Sequence, residues 1–461
     1  MKKNYDLVIV GGGPGGYVAA IRAAQMGMKT AVLEKQYLGG TCLNVGCIPT
    51  KALFQSAEVA HEVKSSAQYG IKASFNGTDF TAVMNRKNAV VKQLVGGVSA
   101  LLKKNKVDVF FGEVIFKSAK VMINPITGDM YEGKNILVCA GTENFIPPIS
   151  GLDGKNIGGS TEVLNLTDMP ESMVIIGGGV IGCEIANILN AFGCKVTVVE
   201  MLPKLLGRME DEVAEFIEKQ FISEGIDVRT ATKVLKVEDT KDGMKEVICE
   251  KDGKEIRISA SYVMVSTGRK SNAEKLGVDK VGIKTEKGFI QVNDYMETSV
   301  SGVYAAGDII GKTALAHSAS EGAVIAVENM QGARRKANFD YVPKVVFVGP
   351  EVASAGMNEK EAKDAKFDVI CGRFNLIGNG KSIAMGKANG FVKVVSEKEN
   401  HQILGIHMVG PSASELVTLF TQLLEMEAVL EDVENTIYPH PAVSEAIREA
   451  CLDALGRAIH K

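Results

Sequence analysis

Apolar positions along this chain gather in short solid runs, and the sharpest of them stop on glycine. "VIVGGG" at 8–13 and "VIIGGG" at 174–179 each read as a strand entering a tight turn. After each turn apolar residues recur at helical spacing, and a second apolar run, "KTAVLE" or "KVTVVE", closes on a glutamate. The stretches 8–34 and 174–200 align without a gap, with 11 of 27 positions identical. Strand, helix and strand in this order make a βαβ unit, and the chain carries it twice.

Further along, "GKNILVCAGT" (133–142), "SYVMVSTGRK" (261–270) and "SGVYAAGDI" (301–309) predict strands running into turns. Residues 80–104 predict a long helix. From "YVPKVVFVGPEVASAGM" onward the glycine fingerprints stop, and strand-like 390–396 and 403–410 precede a helix-like 414–427. The expected fold class is α/β, with two Rossmann-like dinucleotide-binding domains and a C-terminal α+β domain. Residues 1–145 and 271–338 are expected to form the first domain, 146–270 the second and 339–461 the third.

The repeated turn has a chemical purpose. In each copy the first glycine makes the turn, the second lets backbone approach a pyrophosphate, and the third lets helix pack on strand. These are Gly11, Gly13 and Gly16, then Gly177, Gly179 and Gly182. Helix N-terminal amides hold phosphate charge, and an acid further on accepts from an adenosine ribose. Glu34 and Glu200 each follow the last glycine by 18 residues. Two such units imply two dinucleotides. At the second, Glu200 repels a 2′-phosphate and "MLPK" offers only Lys204 against it, which favours NAD over NADP. The first suits the same adenosine end, including that of FAD.

Composition narrows the class. A length of 461 residues with 46% hydrophobic and 23% charged content describes a globular chain of several domains. A formal charge of −3 provides no basic field for nucleic acid. No apolar run approaches the ~18 residues of a membrane span. The opening "MKKNYDLVIVGGG" is broken by Asp6 and the glycines, so it reads as a strand and not as a signal peptide. A cytoplasmic protein is expected, in which structural disulfides are rare. Six of the eight cysteines are scattered among apolar residues, and no second cluster completes a metal site.

The remaining two stand in "GGTCLNVGCIPTKAL" (39–53), as Cys42 and Cys47. Residues five apart in a regular helix are separated by about 7.5 Å along its axis, beyond the reach of a disulfide. If the two bond, Cys42 lies before the helix or in a distorted first turn, a freedom that Gly39, Gly40 and Gly46 supply. Lys51 falls one turn past Cys47, and a helix N-terminus with a nearby lysine favours thiolate. Two core cysteines paired by chance are the bland alternative. A reversible dithiol beside a flavin would carry electrons.

Taken together, "GGTCLNVGCIPTKAL", both glycine fingerprints, "VYAAGDI" and the late "HPAVSE" resemble the pyridine nucleotide–disulfide oxidoreductases, most of all their dihydrolipoamide dehydrogenase branch. The likeness runs the length of the chain. It implies FAD and NAD as cofactors, a homodimer built through the C-terminal dimerisation domain, and a lipoyl-bearing protein as substrate, either the E2 of a 2-oxo acid dehydrogenase or the H protein of glycine cleavage. It further implies that Cys42 is the thiol meeting substrate and Cys47 the flavin-side thiol, with Lys51 and Glu184 near the flavin's reactive nitrogen. Glu34, Thr41, Gly112, Gly141, Thr142, Asp308, Ala316 and His317 match other FAD contacts, and Gly177 to Gly182, Glu200, Val234 and Gly268 the NAD side. His440, rigid between prolines in "YPHPAVSE" and followed by Glu445, is the expected base, acting in the partner subunit's site. His317 is expected to give backbone only.

Three departures from the branch stand out: Tyr438 in place of a histidine, no proline after Arg269 in "GRKSN", and "VGPE" at 348–351 without the usual His or Asp. Rival readings are a glutathione or mercuric reductase and a non-catalytic FAD/NAD-binding subunit. Glu200 opposes the first, the single late Cys451 the second, and the intact Cys42, Cys47 and His440 the third.

Overall fold

A computed structural model describes residues 1–461. Strand β1 (Lys2–Val10) leads through Gly11 into helix α1 (Pro14–Gln25) and strand β2 (Thr30–Glu34). Gly11 takes φ +101°, a conformation side-chain-bearing residues rarely adopt, and Pro14 opens the helix with a preset φ. A Cβ at Gly16 would run into the Gly11 carbonyl oxygen, so only glycine lets α1 sit this close to the turn.

Next come α2 (Gly40–Val45), α3 (Cys47–Ser65) and the 25-residue α4 (Phe80–Lys104), which Asp79 caps by accepting from the Ala82 amide at 2.9 Å. Strands β3 (Asp108–Phe111), β4 (Ile115–Ser118), β5 (Val121–Ile123) and β6 (Met130–Val138) complete a sheet of order β3-β2-β1-β6-β5-β4. Strand Val303–Ala305 adds to β6 in parallel register, so chain from beyond residue 300 returns to the first sheet.

The second fingerprint builds a wholly parallel sheet of five strands, ordered 227–229, 195–199, 172–176, 262–265 and 157–158. An antiparallel meander, Lys233–Asp239 with Lys245–Lys251 and Lys254–Ala260, lies beside it. The short pair Thr142–Asn144 and Arg269–Ser271 forms where the chain passes out to this unit and back. The C-terminal unit is a five-stranded antiparallel sheet, ordered 344–346, 352–356, 403–409, 391–397 and 369–375. Helices Ala413–Glu425 and Glu445–Ala454 bury Phe420, Leu424, Ile447 and Cys451 in its core. No helix is long and apolar enough to cross a membrane.

Candidate active site

The two cysteines lie on different helices. Cys42 sits in α2 and Cys47 opens α3, with the break at Gly46 (φ −147°, ψ −115°). That break removes the axial separation a continuous helix would impose. A Cβ at Gly46 would stand 2.8 Å from the Thr41 carbonyl oxygen and 3.3 Å from Cys42 Cα, so the close return of the chain depends on glycine. Thr50 Oγ1 donates to the Gly46 carbonyl at 2.7 Å, and Asn44 Nδ2 to the carbonyls of Leu38 and Gly40 at 2.8 and 2.9 Å. These bonds hold both helices at the junction.

The two thiols are electrostatically unlike. A hydrogen bond toward Cys47 is the largest cause lifting Cys42 far above the usual thiol range, and burial adds to it. The same bond, as acceptor, is the largest cause pulling Cys47 down; burial opposes, and the Lys51 ammonium assists. Lys51 Nζ donates to both oxygens of Glu184 at 2.9 Å. The buried Glu184 also accepts from the Phe347 amide at 3.0 Å, and Lys51 Nζ lies 4.4 Å from the centre of the Phe347 ring. Sequence reasoning missed Phe347, whose apolar run "KVVFV" gives no hint of a polar contact.

Cys42, Cys47, Lys51 and Glu184 line one cavity of about 800 Å³. Its walls include Gly11, Gly13, Glu34, Thr41, Cys42, Cys47, Lys51, Gly112, Gly141, Thr142, Glu184, Asp308 and Ala316. Glu34 Oε2 accepts from the Gly12 amide at 2.7 Å, and Oε1 from Gln36 at 2.7 Å. Asp308 Oδ2 accepts from Thr142 Oγ1 at 3.1 Å, and Arg269 Nε donates to Thr142 Oγ1 at 2.6 Å. Burial raises the Asp308 carboxyl although Arg269 opposes it. Arg269 is a second residue the sequence did not disclose. His317 does not line the cavity; its Nε2 faces the Pro343 carbonyl at 3.0 Å. Gly16 lies beneath the turn, packed on Gly11.

The second fingerprint repeats the two shortest contacts of the first at its acid. Glu200 Oε2 accepts from the Gly178 amide and Oε1 from Leu202, both at 2.7 Å. Gly177 takes φ +111°, and a Cβ at Gly182 would strike the Gly177 carbonyl oxygen. A Cβ at Gly179 or Gly268 would meet nothing within 4 Å, so backbone there faces open space. Val234 is buried in the meander, in a cluster with Ile176 and Val199. Lys204 pairs with Asp211. The helix Val180–Phe192 begins at this turn and carries Glu184, while Val180 and Ile181 line the first cavity. The two glycine turns therefore converge on one region.

His440 is apart. Its side chain is 77% exposed, its Nδ1 lies 3.0 Å from Glu445 Oε1, and it does not border the cavity holding Cys42. Glu445 Oε2 accepts from the Ala442 amide at 2.9 Å. Burial pushes Glu445 up, but that amide and the His440 ring outweigh it and leave the carboxyl below its usual range. Tyr438 is half-buried against the C-terminal core.

Known proteins resemble this chain along its length. Residues 5–323 match the family described as pyridine nucleotide-disulphide oxidoreductase, and residues 342–451 match that family's dimerisation domain. A dihydrolipoyl dehydrogenase of Bacillus subtilis (strain 168) is 40% identical, covering 100% of both chains. The mitochondrial dihydrolipoyl dehydrogenase of Pisum sativum is 40% identical over 99% of this chain and 92% of its own. Among solved structures, the HOCl-induced flavoprotein disulfide reductase RclA from Escherichia coli, as a Cu(II) complex, superposes with a TM-score of 0.87 over 97% of this chain and 99% of its own. At 24% identity that likeness concerns the fold. With the converging glycine turns and the divided cysteine pair, these matches make the chain a member of the pyridine nucleotide-disulphide oxidoreductase family, grouped there with the dihydrolipoyl dehydrogenases.

Proposed function

We propose that this chain oxidises dihydrolipoamide, carried on a separate lipoyl protein, to lipoamide and reduces NAD+ to NADH. The observation that carries the reading is the approach of Cys42 to Cys47 across the Gly46 break, in the cavity that Glu34 and Gly13 border and Lys51 and Glu184 overlook. The cavity suits FAD: its wall carries the backbone of Gly11 and Gly13, a carboxylate already oriented by the amides of Gly12, Gln36 and Tyr37, and the carboxyl of Asp308. The region of Gly179 and Glu200 suits NAD, and Asp211 engages Lys204, the lysine that follows Glu200 in the chain and could attract a 2′-phosphate. Bound FAD supplies the two-electron relay between dithiol and nicotinamide.

The chain's own residues do the sulfur chemistry. In the oxidised form Cys42 and Cys47 share a disulfide. His440 of the partner subunit takes a proton from one substrate thiol through Nε2, the nitrogen that Glu445 leaves free. The thiolate attacks Cys42 Sγ, the S–S bond breaks, and Cys47 leaves as thiolate. The second substrate thiol then attacks the sulfur joined to Cys42, closing lipoamide, and its proton passes to Cys42. The two substrate protons thus rest on His440 and Cys42. Cys47 stays ionised beside Lys51, held by the Cys42 hydrogen bond. The composite site is supported by the exposure of His440, its absence from its own chain's cavity, and the dimerisation-domain match.

The domain division 1–145 with 271–338, then 146–270 and 339–461, belongs to the same reading, supported by the return of strand Val303–Ala305 to the first sheet. So does a cytoplasmic location, which an exposed and unpaired Cys371 suits. The deciding experiment uses the purified holoprotein with NAD+. NADH formed from dihydrolipoamide but not from reduced glutathione is expected; turnover with glutathione alone would move the substrate, and a colourless protein would remove the flavin.

A further inference from the structure

A lysine is buried where the second dinucleotide unit meets the C-terminal sheet. Lys393 stands on strand Phe391–Glu397 with its side chain 4% exposed. Its Nζ donates to Glu210 Oε1 at 2.9 Å, Glu212 Oε1 at 2.7 Å and Glu359 Oε2 at 2.6 Å, which uses all three ammonium protons. Glu210 and Glu212 belong to the start of helix Asp211–Ser223 in the dinucleotide unit, and Glu359 begins helix Glu359–Asp364 in the C-terminal unit. The Glu359 amide also donates to Glu210 Oε2 at 3.0 Å, and Arg373 Nε reaches Glu212 at 2.8 Å.

From Glu210 the chain leads back to Glu200 through residues 201–210, which contain neither helix nor strand. This loop is fastened to the glycine turn: the Leu206 amide donates to the Gly178 carbonyl at 2.9 Å, and Leu202 donates to Glu200. Leu205 is fully buried, so close over Gly178 that a Cβ there would strike it. One end of the loop therefore holds the turn and carboxylate of the nucleotide site, and the other is gripped by Lys393.

We infer that Lys393 is a positioning residue for NAD+: by gripping Glu210 it fixes the 201–210 loop, so that the C-terminal unit sets the affinity of the nucleotide site in its neighbour. The inference rests on reading the Glu200 turn as the NAD+ site. Without the ammonium, three carboxylates whose oxygens lie within 4.8 Å of one another are left to repel, and the irregular loop is the part that yields.

The test is Lys393→Met in the full-length holoprotein, with NAD+ binding followed by calorimetry beside steady-state kinetics. Kd and KM for NAD+ should rise about tenfold, close to the low end of what one hydrogen bond to a charged group contributes. kcat at saturating NAD+ and the rate at which dihydrolipoamide bleaches the flavin should stay within about twofold, and Lys393→Arg should restore most of the affinity. A folded Lys393→Met protein that binds NAD+ as the parent does, or that loses flavin bleaching in parallel, overturns the inference. If that variant does not fold, Glu210→Gln, which keeps the shape and removes the charge, should weaken NAD+ about threefold, and unchanged binding overturns it equally. A parent protein that binds no NAD+ would instead remove the reading of the site.

Discussion

Replacing Cys42 by alanine should make Cys47 a weaker acid by a predictable amount. The largest cause holding Cys47 below the usual thiol range is the hydrogen bond from Cys42, with Lys51 second and burial opposing both. A hydrogen bond to a charged group contributes about 1.5–3 kcal/mol. At about 1.4 kcal/mol per pH unit, its loss should raise the midpoint of Cys47 ionisation by roughly one to two pH units. Cys42→Ser leaves a hydroxyl donor at the same place and should retain most of the depression. The assay is the rate of iodoacetamide alkylation against pH in the reduced protein, read by mass spectrometry on the Cys47 peptide, because the exposed Cys371 will react as well. Superimposable profiles for the alanine and serine variants would refute the donor's role. Lys51→Met, removing the second cause, should produce a smaller rise in the same direction.

Gly46→Ala should cost about 1–3 kcal/mol in urea unfolding, because its Cβ would stand 2.8 Å from the Thr41 carbonyl oxygen, and should slow closure of the Cys42–Cys47 disulfide. His440→Gln should leave flavin content unchanged and lower dihydrolipoamide oxidation by about 10²–10⁴-fold in stopped flow; unchanged turnover removes it as base. Glu200→Gln should narrow the preference for NAD+ over NADP+ by about tenfold, measured as the ratio of kcat/KM values, since one ribose acceptor and its charge are weakened. The Lys363 and Lys393 ammonium groups hold the Glu359 carboxyl down at about 2 against an ordinary 4.5. Its stabilisation is present above 4.5 and lost as pH falls toward 2, so Glu359→Gln should shrink the fall in urea midpoint between pH 6 and pH 3.

Much of this molecule was legible along the chain. The two βαβ units, the turn glycines and Glu34 and Glu200 obey rules that act within some thirty residues: apolar period, the sign of φ at a turn, and a fixed reach from strand to strand. Gly11 and Gly177 adopt the positive φ their motif requires, and both acids accept from the corresponding turn amide. The spacing likewise put Cys42 before the helix or in a distorted first turn if the two thiols bond, and it lies ahead of the helix that Cys47 opens, in a short helix of its own ending at Gly46. The antiparallel meander at 233–260 escaped notice, because its alternating polar strands resemble surface loops as readily as sheet.

What the chain could not disclose is which distant side chains meet. The Phe347 amide reaches Glu184 across 163 positions, Arg269 ties to Thr142 across 127, and Lys393 joins Glu210 across 183. Nothing local marks Phe347 or Lys393, since a lysine in a strand and an apolar phenylalanine obey the same neighbour rules wherever they fall. Their partners are selected by how sheets and helices stack after collapse, a sum over many packing contacts that no short window contains. His440 is the limiting case: its motif is plain in sequence, yet within its own subunit it stands exposed and away from the thiols it is proposed to serve. Local stereochemistry wrote the dinucleotide turns, the dithiol and the lysine one turn beyond it, and tertiary packing chose the distant groups, Phe347 and Lys393 among them, that complete their surroundings.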